Sequence, residues 1–227
     1  LPQLTAVSET EGGRYMSLVS QITHNSQFLQ APDYIPVDVV TDKGTSSFSN
    51  WSAYAPQMAA FKLLAAWFDY LRSEGAYANT RIVIVADHGC RGAEAVMEKD
   101  EALDRRISGG DYRGRGHYHP LLMFKDFGDG DDFVEDGETF MTNADVPALL
   151  LDGLVEHPVN PFTGREIPTD TGPLKAGGVI ISASDAHRPD DNGEYRYAVR
   201  DGEWWLVRDP IFKASSWTQV RPPEGTR

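Results

Sequence analysis

The chain of 227 residues has one cysteine, no long apolar run and many more acidic than basic residues. The single Cys90 excludes an intramolecular disulfide framework. The formal net charge of -13 argues against a nucleic-acid partner, because a phosphate backbone requires a basic footprint. No stretch approaches the ~20 apolar residues of a membrane span, so the sequence predicts no transmembrane helix among these residues.

The sequence also lacks an initiating methionine and a signal-peptide pattern. It begins at Leu1, and no charged and then apolar stretch follows. We therefore expect a processed or excised piece of a longer protein. The 41% content of hydrophobic residues is typical of globular proteins, and the length suffices for one sizeable core or two small ones.

The hydrophobic pattern of the first 90 residues predicts alternating strands and helices. Residues 14–21 are expected to form a strand, and residues 81–85 a second strand that is buried on both faces. Between them, an apolar stripe predicts a helix over residues 58–71, with Pro56 in its first turn and Gly75 at its C-terminal cap. The order strand, helix, strand favours parallel α/β construction, in which helices cover the sheet.

The rest of the chain carries weaker signals. Residues 120–124 are a further strand candidate. Residues 126–137 are predicted to be a solvated acidic loop, because their Asp spacing does not match a calcium-binding loop. A second helix is expected to begin at residue 142 or 143. Residues 196–199 and 204–207 predict a β-hairpin near the C-terminus.

One segment points to chemistry: Arg81-Ile82-Val83-Ile84-Val85-Ala86-Asp87-His88-Gly89. Ligands of open α/β sheets bind at the carboxyl ends of strands, where Asp87 and His88 would present a carboxylate oxygen and an imidazole nitrogen. Such a pair is half of a divalent-metal site. Gly89 lets the backbone turn without a Cβ in the way. The alternative is a strand-end acid beside a solvated histidine.

The order of the motifs resembles the alkaline phosphatase superfamily. Within it, the chain is most similar to the sulfatase-like branch that contains lipoteichoic acid synthases and phosphoethanolamine transferases. The resemblance covers about residues 14 to 155 and is carried by Ser17-Leu18, Thr23-His24, residues 79–89, Pro120-Leu121-Leu122 and residues 145–150. Residues 141–147 and 160–164 are similar to uncharacterised sulfatase-like membrane proteins.

The resemblance implies a metal-dependent phosphoryl site. In this family an Asp-His pair holds a divalent metal, which activates a Thr or Ser alkoxide and polarises the phosphoryl oxygens. Asp87 and His88 match that pair, so one Mn, Zn or Mg ion is expected in the complete protein. A histidine after an earlier strand contacts the substrate phosphate, and His24 matches it. The alternative for His24 is a loop histidine that caps a nearby carbonyl.

The other histidines and the cysteine carry less information. His117 and His119 precede the next strand candidate, where some relatives place another metal or substrate histidine, and their spacing puts both rings on one side of an extended segment. Either could be a ligand, with solvent-facing loop histidines as the alternative; we expect His119 to bind substrate. His157 and His187 are expected at the surface, and Cys90 is expected to be a small buried filler.

Two positions of the family pattern are missing. Relatives place the first acidic ligand and the nucleophile upstream of the phosphate-binding histidine, but residues 1–13 contain neither arrangement. The catalytic nucleophile is therefore unknown and expected outside this chain. The Cys/Ser-x-Pro-x-Arg sequence from which true sulfatases make formylglycine is also absent.

We therefore expect an α/β fold: a partial alkaline-phosphatase-like sheet with flanking helices over residues 1–170, and a small β-rich extension over residues 171–227. The parent is expected to be an extracytoplasmic, membrane-anchored enzyme that transfers or hydrolyses a phosphate ester. One example is glycerol phosphate transfer from a lipid-linked donor to a cell-envelope polymer, with the membrane segments outside this chain. The alternatives are a sulfatase or phosphonate hydrolase on the same fold, and a non-catalytic extracellular binding domain.

Overall fold

The computed structural model describes most of the chain: residues 1–9, 12–89, 97–107, 114–128, 134–136, 139–170, 172–182 and 204–221. The fold in these ranges is mixed α/β, with helices and small antiparallel sheets. The chain divides into two compact units, the first formed by residues 1–81 and 126–132 and the second by residues 82–125 and 133–227. No helix in the described ranges is both long enough and apolar enough to cross a membrane.

The first unit is built on the helix α1 (Tyr54–Ser73), which follows a short antiparallel pair of strands, β1 (Leu29–Gln30) and β2 (Ile35–Pro36). The core of this unit is a buried cluster from β1, the residues after it and α1: Leu29, Ala31, Tyr34 and Ala59. A helix was predicted here, and it is confirmed. Gly75 has a φ of 68°, a left-handed value that glycine adopts without a steric penalty, and it lies just beyond the end of α1.

The strand predicted at residues 14–21 was wrong, because this segment pairs with no strand among the described residues. Its apolar side chains are in solvent, with Tyr15 79% and Val19 87% exposed. An apolar run becomes a strand only when a neighbouring strand satisfies its backbone N–H and C=O groups. The local pattern does not supply that neighbour.

In the second unit, β3 (Ile82–Val85) pairs with β4 (Leu122–Lys125). Both strands were predicted, but the expected parallel construction was wrong for the described strands, which pair antiparallel throughout. Burial of β3 on both faces was also wrong. Ile82 is buried, whereas Val85 is 41% exposed, since a two-stranded sheet has too few neighbours to cover both of its faces.

The same unit contains a three-stranded antiparallel sheet of β5 (Val179–Ser182), β6 (Trp204–Val207) and β7 (Trp217–Val220), with β6 in the centre. Helix α2 (Glu101–Ile107) packs on it. Together they form the core of the unit: Leu103, Ile107, Trp205, Val207 and Trp217. The strand predicted at 204–207 is confirmed, while its predicted partner at 196–199 lies outside the described residues.

The second predicted helix is also confirmed. A 3₁₀ turn at Asn143–Asp145 leads into α3 (Val146–Leu151), and a capping box between Thr142 and Asp145 fixes the start of the 3₁₀ turn. The single helical turn α4 (Gly172–Lys175) follows later in the chain.

Candidate metal centre

Asp87 and His88 lie in the turn that follows β3. Just after the strand, the N–H of Ala86 donates to the carbonyl of Leu121 at 2.9 Å. The backbone N–H of His88 then donates to Oδ1 of Asp87 at 3.0 Å. Nε2 of His88 and Oδ2 of Asp87 are 3.6 Å apart, which places the two side chains together just beyond the end of this strand.

The donor atoms of this pair fit one shared divalent ion. Nδ1 of His88 lies 2.8 Å from the carbonyl oxygen of Gly89. A proton on Nδ1 makes that bond and leaves the lone pair of Nε2 on the side of Asp87, which is a tautomer common among metal-ligating histidines. Two donors that each lie about 2.1 Å from a metal are about 3–4 Å apart, and the 3.6 Å between Nε2 and Oδ2 falls within that span.

The pair is open to solvent: the side chain of Asp87 is 88% exposed and that of His88 is 51% exposed. Packing therefore contributes little to the position of the Asp87 side chain. The backbone supplies the order instead, since the N–H of Gly89 donates to the carbonyl of His117 at 2.8 Å.

His117 is the second histidine that the structure brings to this turn. It lies in a 3₁₀ turn, Arg115–Tyr118, and its ring centroid is 4.2 Å from that of His88, with the two planes tilted by 33°. Among the described residues, no three His, Cys, Asp or Glu side chains are grouped so that they could hold one metal ion. Asp87 and His88 are thus a two-ligand set with an imidazole beside it.

His119 points to a different neighbour. Its ring meets Phe212 edge to face, with centroids 5.0 Å apart, and burial lowers the pKa of its imidazole because the charged form is desolvated. The expectation that both rings lie on one side of an extended segment was wrong, because the backbone coils into a 3₁₀ turn between them. The role of His119 in substrate binding stays a prediction.

The remaining predicted residues are spread over the chain. His24 belongs to the first unit, is exposed, and donates its backbone N–H to the carbonyl of Gln21 at 3.1 Å. Its contact with a substrate phosphate stays a prediction. His157 is confirmed at the surface, where its side chain is 85% exposed and pairs with Glu166. Cys90 and His187 lie outside the described residues.

Arg115 belongs to the 3₁₀ turn that carries His117, and sequence reasoning missed its role. It is 1% exposed, and its Nε is 2.9 Å from Oδ1 of Asp104. It also donates to the carbonyl oxygens of Glu98 and Phe212. These bonds of the buried Arg115 anchor the 3₁₀ turn that carries His117. The four arginines between residues 105 and 115 look alike in the sequence, so no local signal marks this one as buried.

The second unit also contains an open cavity of about 550 Å³. A buried ion pair lies on its wall, with Nζ of Lys175 3.0 Å from Oδ2 of Asp145, and Phe140 and Leu149 are among its apolar lining. Oδ2 of Asp145 therefore belongs both to this ion pair and to the capping box at the start of the 3₁₀ turn before α3.

Comparisons with protein-family models, with curated proteins and with solved structures find no match to this chain. The chemistry of the site therefore has to be argued from its own residues.

Proposed function

We propose that the turn at Asp87 and His88 is the metal-binding part of a phosphate-ester transferase or hydrolase of the sulfatase-like branch of the alkaline phosphatase superfamily. The observation that carries the proposal is the 3.6 Å spacing between Nε2 of His88 and Oδ2 of Asp87 at a strand end. The bond between Nδ1 of His88 and the carbonyl of Gly89 supports it, because it selects the tautomer that a metal ligand needs.

The residues of this chain divide the work of such a site. Asp87 and His88 would hold the ion, and a divalent ion in this position polarises phosphoryl oxygens and helps to activate a nucleophile. His117 lies near enough to His88 to orient its ring. His24 and His119 remain our candidates for contacts with the substrate phosphate. The nucleophile and the further metal ligands would come from outside this chain.

The wider setting belongs to the same proposal. The parent would act outside the cytoplasm on a phosphate-ester or lipid-linked substrate, with a membrane attachment outside these residues. The net charge of -13 is compatible with such a substrate, because the metal supplies positive charge locally.

Metal binding by the purified chain tests the proposal. We expect weak binding of Mn²⁺, because two protein ligands leave the coordination set incomplete. The electron paramagnetic resonance signal of the free ion measures this binding. Asp87→Asn and His88→Gln should each abolish it. His157→Gln is the matched control, since His157 and Glu166 form another exposed histidine-carboxylate pair, with 2.9 Å between Nδ1 and Oε1.

Equal Mn²⁺ binding by wild type, Asp87→Asn and His157→Gln would refute the metal site and favour a binding domain without catalysis. The purified chain should also fail to hydrolyse a chromogenic phosphodiester, because it lacks the nucleophile. Turnover that is abolished by Asp87→Ala would instead show that a nucleophile lies within these residues.

A further inference from the structure

The side chain of Asn143 is hydrogen-bonded to the backbone that directly follows β3. Its Nδ2 donates to the carbonyl oxygen of Ala86 at 3.0 Å and to that of Asp87 at 3.1 Å. One amide group has two N–H donors, and here they bridge consecutive carbonyls at the point where the strand becomes the metal-binding turn. Asn143 belongs to the segment Met141–Pro147, to which the proposed chemistry gives no role.

Asn143 is itself held in place by its neighbours. The backbone N–H and the hydroxyl of Thr142 donate to Oδ2 of Asp145 at 2.6 and 3.0 Å. Lys175 completes this anchor, because its Nζ lies 3.0 Å from the same oxygen and both charged side chains are at most 10% exposed. The residues on either side of Asn143 are thus fixed by a buried, charge-assisted network.

We propose that Asn143 is a positioning residue for the Asp87–His88 pair, an inference that rests on the proposed metal site. The side chain of Asp87 is 88% exposed, so its direction depends on the backbone that carries it. The two bonds from Asn143 fix the carbonyls of Ala86 and Asp87, and with them the peptide planes on both sides of the Asp87 Cα. Asn143 thereby holds Oδ2 of Asp87 at the distance from His88 that a shared ion requires.

Substitution of Asn143 tests this role with Co²⁺ as the probe. Asn143→Ala should weaken Co²⁺ binding about tenfold, as loss of a group that orients metal ligands commonly does. It should also change the visible absorption of the bound ion, which reports coordination geometry. Because Asn143 is exposed, the variant leaves no buried cavity, and its far-UV circular dichroism should match that of the wild type. Asn143→Gln, which keeps the amide, should recover part of the affinity.

Asn160→Ala is the matched control. Oδ1 of Asn160 accepts the backbone N–H groups of Phe162 and Thr163 at 2.9 and 3.2 Å in a turn of the same unit, so the variant loses a comparable pair of bonds. Its Co²⁺ affinity and spectrum should equal those of the wild type. A similar loss of affinity in Asn143→Ala and Asn160→Ala would overturn the inference, because general destabilisation would then explain it.

A second measurement separates this inference from the metal site itself. Amide hydrogen exchange at His88 and Gly89 should become faster in Asn143→Ala without any metal, because the turn loses its attachment. If wild type binds no Co²⁺, the proposed function fails and exchange alone decides whether Asn143 holds the turn. Unchanged exchange together with unchanged Co²⁺ affinity in Asn143→Ala would refute the positioning role.

Discussion

Gly89 directly follows Asp87 and His88, the proposed metal-binding pair, and replacing it with alanine should destabilise the second unit. An added Cβ would clash with the carbonyl oxygen of Gly116 and would lie 2.5 Å from the carbonyl oxygen of His119. Both atoms belong to the backbone, so no side-chain rotation can relieve the contact. Gly89 is therefore required because two segments approach closely, whereas the sequence suggested only a sharp turn.

The cost follows from the distances. A carbon and a carbonyl oxygen in contact lie about 3.3 Å apart, so the two segments must separate by about 1 Å. Forcing extra volume into a packed site costs about 1–3 kcal/mol. The separation also breaks the bond between the N–H of Gly89 and the carbonyl of His117, now 2.8 Å, which adds about 1 kcal/mol. We expect Gly89→Ala to lose about 2–4 kcal/mol in the free energy of unfolding.

Urea denaturation followed by tryptophan fluorescence measures this loss, because Trp205 and Trp217 lie in the core of the same unit. Gly177→Ala is the control, since a Cβ there meets nothing within 4 Å. Its free energy of unfolding should stay within about 0.5 kcal/mol of wild type. Equal urea midpoints for Gly89→Ala and Gly177→Ala would refute the close approach of the two segments.

Three further predictions concern charged and titratable groups. Arg115→Met should cost about 3 kcal/mol in urea denaturation, because it removes the buried guanidinium that bonds the carboxylate of Asp104 and the carbonyl oxygens of Glu98 and Phe212; a loss below about 1 kcal/mol would contradict this. Burial lowers the pKa of His119, so stability should fall as pH drops below about 6.5, and His119→Asn, compared with wild type at pH 7.5 and 5.5, should show a smaller fall. The hydrogen bond with Tyr54, together with desolvation, raises the pKa of Tyr34 to about 12. Tyr54→Phe should bring the absorbance titration of Tyr34 toward about 10, and an unchanged titration would refute the interaction.

The elements that could be predicted are those whose signals lie within one segment. Helix α1 has its periodicity, its early Pro56 and the terminal Gly75 close together in the chain. Strands differ, because their hydrogen bonds depend on a partner elsewhere. The pattern therefore located β3 and β4 but did not reveal that they pair antiparallel, and it placed a strand at 14–21, for which the described part of the chain offers no partner.

The candidate site likewise combines a feature that one segment of the sequence predicts with contacts between distant segments that it does not predict. Asp87 and His88 are neighbours in the chain, so their closeness followed from the sequence. The contact between His88 and His117 did not, because it depends on the 3₁₀ turn that carries His117, whereas the His-x-His spacing indicated an extended segment. The hydrogen bonds from Asn143 join segments that are even farther apart in the sequence, since 56 positions separate Asn143 from Asp87.

The backbone of the turn and the proposed metal-binding side chains depend on different interactions. The turn is ordered by the backbone bond from Gly89 to the carbonyl of His117 and by the amide of Asn143, while the side chains of Asp87 and His88 remain open to solvent. Metal affinity and stability should therefore respond to different substitutions. Asp87→Ala removes a ligand but no buried contact, so it should abolish metal binding and change the free energy of unfolding by less than about 0.5 kcal/mol. Gly89→Ala disturbs the backbone itself, so it should reduce both properties. If Asp87→Ala instead destabilised the fold as much as Gly89→Ala, its carboxylate would serve the structure rather than a ligand.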